Sequence, residues 1–265
     1  MAEGIRIQTI AAEDFEMDCF AFGRGKRALV IIPGVSVKSV MLSAAAVAGA
    51  YADFAETHIV YVFDRKRNIR PGYDTVDMAE DTAAAMRALG IADADIFGAS
   101  QGGMIAQCIA ARHPELTRRL VLGSTIARQN ETSRATFDGW RTLAEAGDVR
   151  ALNRDITEKV YSPAFYDRFR DAFDALEAEG TDEELRRFSI LAKACRTFDA
   201  YDQLDEIKCP TLVIGSWDDC TLSGEGSVEI ARRLRCPLQM YSGFGHAVYD
   251  EAQDYREHLH RFFDD

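Results

Sequence analysis

The stretch GASQG at residues 98–102 decides how the chain folds around it. A short apolar run precedes it, and apolar residues at helical spacing follow it. The pentapeptide therefore predicts a sharp turn between a buried strand and a helix. Glycine is needed at Gly98 and Gly102, because a side chain there would collide with the neighbouring strand or helix. The turn would point the hydroxyl of Ser100 out over the sheet edge, where the helix N-terminus favours negative charge.

Strands and helices alternate on both sides of this turn. Apolar runs bounded by turn residues predict buried strands at 28–33, 59–63, 95–97, 120–122, 211–214 and 238–241. Helical spacing predicts helices at 39–51, 75–89, 101–113 and 252–263. Two alternating segments, 6–10 and 18–22, predict an antiparallel edge. The pattern is typical of an α/β protein with a mostly parallel, doubly wound sheet.

One long segment breaks the alternation, since residues 127–205 carry only helical patterns. Thr181 and Glu184 have the spacing of a capping box at the start of one of these helices. We therefore predict a sheet core formed by 1–126 and 206–265, with an inserted all-helical cap at 127–205. The predicted inner stripe of another cap helix consists of Phe165, Phe169, Phe173 and Leu176.

Composition excludes several classes of partner. The 265 residues include 31 Lys and Arg against 43 Asp and Glu, giving a net charge of −12. This charge opposes binding to nucleic acid or to an anionic membrane surface. The N-terminus lacks the pattern of a secretory signal, and the longest weakly polar run, 40–52, is too short to span a bilayer. We therefore expect a cytoplasmic protein whose six scattered cysteines are free thiols without metal-ligand spacing.

A serine hydroxyl becomes a good nucleophile only when a base takes its proton. Of the five histidines, only His246 lies in a loop after a predicted strand, at the edge where open α/β sheets place their sites. Asp218 and Asp219 follow the strand 211–214 to the same edge, and a carboxylate there would orient the histidine. Serine, aspartate and histidine in this order match one of the known orders of catalytic triads.

At this point the chain resembles the α/β-hydrolase fold family over nearly its whole length. The resemblance rests on the helical cap and on four motifs: Pro-Gly at 33–34, the turn at 98–102, Gly-x-x-Asp at 215–218 and Gly-x-Gly-His at 243–246. The catalytic triad that the resemblance implies consists of Ser100, Asp218 and His246. Family spacing selects Asp218 as the acid and leaves Asp219 as the adjacent alternative. No metal and no organic cofactor is implied.

The resemblance also implies an oxyanion hole, formed by the backbone N–H groups of Val35 and Gln101. One departure from the family pattern follows the second predicted parallel strand. Where the family often has Asp-x-Arg-Gly-x-Gly, this chain has DRKRNIRPG at 64–72, so charge replaces glycine. The cluster from Arg65 to Arg70 is either a solvated loop or a basic rim that attracts an anionic substrate.

These features lead us to expect a serine hydrolase that cleaves a small, partly apolar carboxylic ester through an acyl-enzyme. The same triad on this fold also serves thioester, amide and C–C bond hydrolysis and perhydrolysis, which the sequence does not separate. A non-catalytic binding or sensor protein is the alternative from a different class. The presence of all three triad residue types argues against it. The oligomeric state is not indicated by the sequence.

Overall fold

The computed structural model describes residues 4–11, 15–176, 178 and 180–264, without the side chain of Leu176. The strands are β1 Arg6–Ala11, β2 Glu16–Gly23, β3 Arg27–Ile32, β4 His58–Lys66, β5 Ala94–Ala99, β6 Thr117–Gly123, β7 Thr211–Ser216 and β8 Leu238–Tyr241. They form one sheet in the order β1-β2-β4-β3-β5-β6-β7-β8. All pairings from β4 to β8 are parallel, while β1 and β2 form the predicted antiparallel edge. The predicted fold class is therefore confirmed.

Helices cover both faces of the sheet. They are α1 Ala44–Ala50, α2 Thr75–Ala88, α3 Gln101–Arg112, α4 Glu131–Glu145, α5 Val149–Val160, α6 Pro163–Leu176, α7 Asp182–Thr197, α8 Gly224–Leu234, α9 Val248–Glu251 and α10 Tyr255–Asp264. Side chains alternate along each strand, so neighbours enter different cores. Val30 of β3 packs in the core that contains Met104 of α3, whereas Leu29 packs in the core that contains Tyr255 of α10.

Four helices, α4 to α7, lie between β6 and β7 in the chain and form the helical insertion. The predicted capping box at the start of α7 is present, with reciprocal hydrogen bonds between Thr181 and Glu184. The predicted inner stripe of α6 is wrong at Phe169, which is 38% exposed and sits at a kink with non-helical backbone angles. Phe165 stacks on Tyr161 instead of entering the core, at 4.9 Å between ring centroids. Leu176 belongs to this stripe, but its side chain lies outside the description. The limits predicted for the cap, 127–205, stay predictions.

Among the residues with described positions, no helix has the length and apolar character needed to cross a membrane. All six cysteines are free thiols, and Cys220 is the exposed one.

Candidate active site

Ser100 lies between the end of β5 and the start of α3 in a strained conformation. Its backbone angles are φ 56° and ψ −120°, a region that side-chain-bearing residues rarely adopt. The end of β6 and the segment after it hold it there: its N–H donates to the carbonyl of Gly123 at 2.9 Å, and its carbonyl accepts from Thr125 Oγ1 at 2.7 Å. The surrounding structure therefore holds Ser100 in this strained backbone conformation. Ser100 is only 6% exposed.

Close backbone packing explains the two glycines of the turn. A Cβ atom on Gly102 would lie 1.8 Å from the carbonyl oxygen of Ile32, and one on Gly98 would lie 2.4 Å from that of Gly102. Real Cβ atoms do not approach backbone this closely, so neither position accepts a side chain without moving a strand or helix. The start of α3 can thus pack directly against the end of β3.

His246 lies in the loop that follows β8, at the same carboxyl edge of the sheet. Its Nδ1 atom is 2.8 Å from Asp219 Oδ2, and both side chains are buried. Because a carboxylate only accepts hydrogen bonds, Nδ1 carries the proton and Nε2 is left as the acceptor. This is the tautomer that a histidine base needs.

The acid that contacts His246 is Asp219, so the assignment of this contact to Asp218 is wrong by one residue. Strand β7 ends at Ser216 and the chain then turns, which interrupts the side-chain alternation of the strand. Asp218 is exposed, and its Oδ2 accepts from the N–H of Gly243 at 2.6 Å. This hydrogen bond therefore connects the loop after β7 to the loop after β8.

The buried carboxylate of Asp219 is fixed by the turn it begins. Its Oδ1 accepts from the N–H groups of Thr221 and Leu222, both at 2.8 Å. Oδ2 remains directed at His246. One oxygen thus closes the turn while the other orients the imidazole.

The predicted oxyanion donors lie on the two segments that flank Ser100. Gln101 is the first residue of α3, and N–H groups in the first turn of a helix have no partner within the helix. The loop after β3 passes next to Ser100, since a Cβ on Gly34 would lie 3.2 Å from Ser100 Cβ. Val35 follows Gly34 in this loop. This arrangement is compatible with the predicted donor role of Val35 and Gln101, which stays a prediction.

The basic cluster from Arg65 to Arg70 contains both buried and exposed side chains. Arg65 is 4% exposed and donates to the carbonyl of Pro33 and to the side chain of Gln101. Lys66 pairs with Asp81 at 3.1 Å. Arg67, half-exposed, donates to the carboxylates of Asp18 and Glu16. Arg65 is therefore no part of a solvated loop, and a substrate-attracting rim stays a prediction.

Sequence reasoning missed one residue that connects the histidine loop to the cap. Glu251 Oε1 accepts from the N–H of Gly245 and from the N–H of Ser162, both at 3.0 Å. The hydroxyl of Ser162 donates to the other oxygen of Glu251. No motif pointed to this contact, because it joins segments far apart in the chain.

Within the described part of the chain, no group of three or more His, Cys, Asp or Glu side chains is arranged to hold a metal ion.

Comparison with known proteins agrees with the fold. Residues 54–253 match the sequence model of the alpha/beta hydrolase fold. The chain is 29% identical over 213 residues to "Putative carbamate hydrolase RutD" of Rhizobium rhizogenes, covering 77% of this chain and 81% of that protein. Because the family model matches well over half of its length, this chain belongs to the α/β-hydrolase fold family.

Two solved structures share the fold over almost the entire chain. One is MGS-M2, an alpha/beta hydrolase enzyme from a Medee basin deep-sea metagenome library, with 24% identity, a TM-score of 0.86 and coverage of 97% of this chain and 98% of that one. The other is the enol-lactonase from Burkholderia xenovorans LB400, with 17% identity, a TM-score of 0.85 and coverage of 97% and 100%. Fold and family together define the class of this protein as a hydrolase.

Proposed function

We propose that this protein is a serine hydrolase that cleaves a small carboxylic ester through an acyl-enzyme intermediate. The observation that carries the proposal is the buried pair of Asp219 and His246, at the same sheet edge as the strained Ser100. Strands β5, β7 and β8 run in parallel, so the loops after their carboxyl ends gather at one edge.

The proposed reaction begins when Ser100 Oγ attacks the ester carbonyl while His246 Nε2 takes the hydroxyl proton. Asp219 keeps the other ring nitrogen protonated and stabilises the imidazolium that forms. The N–H groups of Val35 and Gln101 hold the oxyanion of the tetrahedral intermediate. His246 then returns the proton to the leaving alcohol, and the acyl group stays on Ser100.

The second half of the reaction uses the same groups. A water molecule loses a proton to His246 and attacks the acyl carbon, and the acid product leaves as Ser100 regains its proton. The burial of Asp219 and His246 strengthens their interaction, since charges attract more strongly where water is excluded.

A carbamate is the second candidate substrate, because relatives such as the one from Rhizobium rhizogenes bear the name of a carbamate hydrolase. The carbonyl of a carbamate can be attacked by the same serine. Nitrogen donation into this carbonyl makes a carbamoyl-enzyme slower to hydrolyse than an acyl-enzyme. Esters and carbamates thus differ chiefly in the second half of the reaction.

Turnover of p-nitrophenyl acetate, p-nitrophenyl butyrate and a p-nitrophenyl carbamate, each by the wild type and by Ser100→Ala, tests the proposal. We expect ester turnover by the wild type and a loss of at least about 10³-fold in Ser100→Ala. Sustained carbamate turnover faster than that of both esters would favour the second candidate. Equal ester turnover by a folded Ser100→Ala would refute the serine mechanism for either substrate.

A further inference from the structure

A buried arginine connects the two segments that carry the predicted oxyanion donors. Arg65 Nη2 donates to the carbonyl oxygen of Pro33 at 2.6 Å, at the start of the loop that contains Val35. Arg65 Nε donates to Gln101 Oε1 at 3.1 Å. The guanidinium thus bridges the end of β3 and the first residue of α3.

The hydrogen bonds of Gln101 extend this bridge to the cap. The amide Nε2 of Gln101 donates to the carbonyl of Leu191 at 3.1 Å and to Cys195 Sγ at 2.9 Å, both on α7. Because Arg65 can only donate, the amide oxygen must face Arg65 and the amide nitrogen must face the cap. One chain of hydrogen bonds with a single orientation therefore connects four segments: the loop after β3, β4, α3 and α7.

Among the described residues, no carboxylate accepts a hydrogen bond from the guanidinium of Arg65. Its guanidinium donates to two neutral oxygen atoms, a backbone carbonyl and a side-chain amide. The charge of the neighbouring Asp64 acts on Arg65 and opposes the effect of burial on its pKa, but the carboxylate oxygens of Asp64 are hydrogen-bonded elsewhere. Its Oδ1 accepts from the backbone N–H of Arg65 at 2.7 Å and lies 3.4 Å from Arg187, and its Oδ2 accepts from Ser39. Burial lowers the pKa of Arg65 from its ordinary value, yet an arginine keeps its charge in proteins.

We propose that Arg65 is a positioning residue for the oxyanion hole, which fixes the loop after β3 relative to the first turn of α3. Its hydrogen bonds set the separation of the N–H groups of Val35 and Gln101, and its charge favours the negative charge that develops between them. This inference rests on the proposed function. An oxyanion exists only after the serine attacks, so the loss of Arg65 acts on the transition state and leaves substrate binding nearly unchanged.

The substitution Arg65→Met removes the charge and both hydrogen bonds while keeping an unbranched side chain. Misplacing a group by about 1 Å can cost about 100-fold in rate, so we expect kcat to fall about 100-fold with KM changed less than about threefold. Arg65→Lys keeps the charge but lacks the planar fork that reaches both acceptors, so it should recover part of the loss. Arg67→Met is the matched control, because this neighbouring arginine contacts surface carboxylates and should leave kcat unchanged.

The affinity for an aryl trifluoromethyl ketone separates positioning from a merely structural role. This inhibitor forms a tetrahedral adduct with a catalytic serine, and the oxyanion of the adduct occupies the oxyanion hole. In Arg65→Met, the inhibition constant should rise by the same factor by which kcat/KM for p-nitrophenyl acetate falls. The inference would be overturned if Arg65→Met, with the wild-type melting temperature, kept the wild-type inhibition constant and kcat. A rise in KM alone in this variant would overturn it as well.

Two further variants serve different purposes: one tests the inference if Arg65→Met does not fold, and the other separates the inference from the proposed function. If Arg65→Met does not fold, Gln101→Met breaks the same bridge from its other end while keeping its own backbone N–H. A wild-type inhibition constant and kcat in folded Gln101→Met would then overturn the inference. Ser100→Ala separates the two proposals: its full activity would refute the proposed function, whereas an inactive Ser100→Ala beside a fully active Arg65→Met would refute only the role of Arg65.

Discussion

Replacing Asp219 by asparagine should disable the base while leaving the fold intact. The single amide oxygen can still accept from the N–H groups of Thr221 and Leu222, which now bind Oδ1. The amide NH₂ group then faces His246 Nδ1 in place of an acceptor. That nitrogen must become the acceptor, so the imidazole proton moves to Nε2, the atom that has to take the proton of Ser100.

The expected loss follows from this change of tautomer. In one well-studied triad the same substitution lowers kcat about 10⁴-fold, so we expect a fall of about 10²- to 10⁴-fold here. Asp218→Asn is the matched control, because the carboxamide oxygen can still accept from the N–H of Gly243. We expect it to change kcat less than about tenfold, since neutral acceptors replace carboxylates at a modest cost when they are exposed.

Both variants are compared on one p-nitrophenyl ester, with circular dichroism and melting temperature as checks of folding. The reverse ranking would assign the acid role to Asp218. Equal, mild effects in two folded variants would mean that the base is oriented by another group.

Two further predictions concern packing and thiol reactivity. Gly102→Ala should destabilise the protein by about 3 kcal/mol, the upper end of the usual cost of overpacking, because its Cβ would overlap backbone. Gly139→Ala in the open interior of α4 should instead stabilise the protein by about 0.5–1 kcal/mol. Urea unfolding measures both free energies, and equal shifts would contradict the close packing at the turn. Burial raises the pKa of the Cys195 thiol to about 12, so at about pH 8 it stays protonated and unreactive, while the exposed Cys220 should react with a disulfide reagent in the native state. Peptide mapping of the labelled thiols measures this, and labelling of native Cys195 as fast as Cys220 would show that the buried site opens.

The turn at Ser100 could be predicted from sequence because its determinants are local. An apolar run, two glycines and a helical pattern suffice to specify strand, turn and helix. The alternation of strands and helices likewise predicted the parallel sheet and its antiparallel edge.

The choice between Asp218 and Asp219 depended on contacts that no local pattern contains. Asp219 is selected because its carboxylate closes the turn over Thr221 while His246 comes from the loop after the next strand. Asp218 is directed at Gly243 of that same loop. Asp219 thus contacts His246, and Asp218 accepts from the N–H of Gly243. The relative position of the loops after β7 and β8 determines which aspartate makes which contact.

The burial of Arg65 was missed because strand β4 continues through this residue. The apolar run ends at Phe63, so a run of charges after it was interpreted as a loop. In the structure β4 extends to Lys66, and its side chains keep alternating, which buries Arg65 while Asp64 and Lys66 remain partly exposed. A charged residue on the inner face of a strand gives no hydrophobic signal.

The most direct test of the serine mechanism is labelling with a fluorophosphonate, followed by intact mass and peptide mapping. We predict one adduct per chain, located on Ser100, and none in Ser100→Ala. Labelling of Asp219→Asn should be slowed, because the serine then lacks a competent base. An adduct on a different residue, or an unlabelled protein that still hydrolyses esters, would contradict the assignment of Ser100 as the nucleophile.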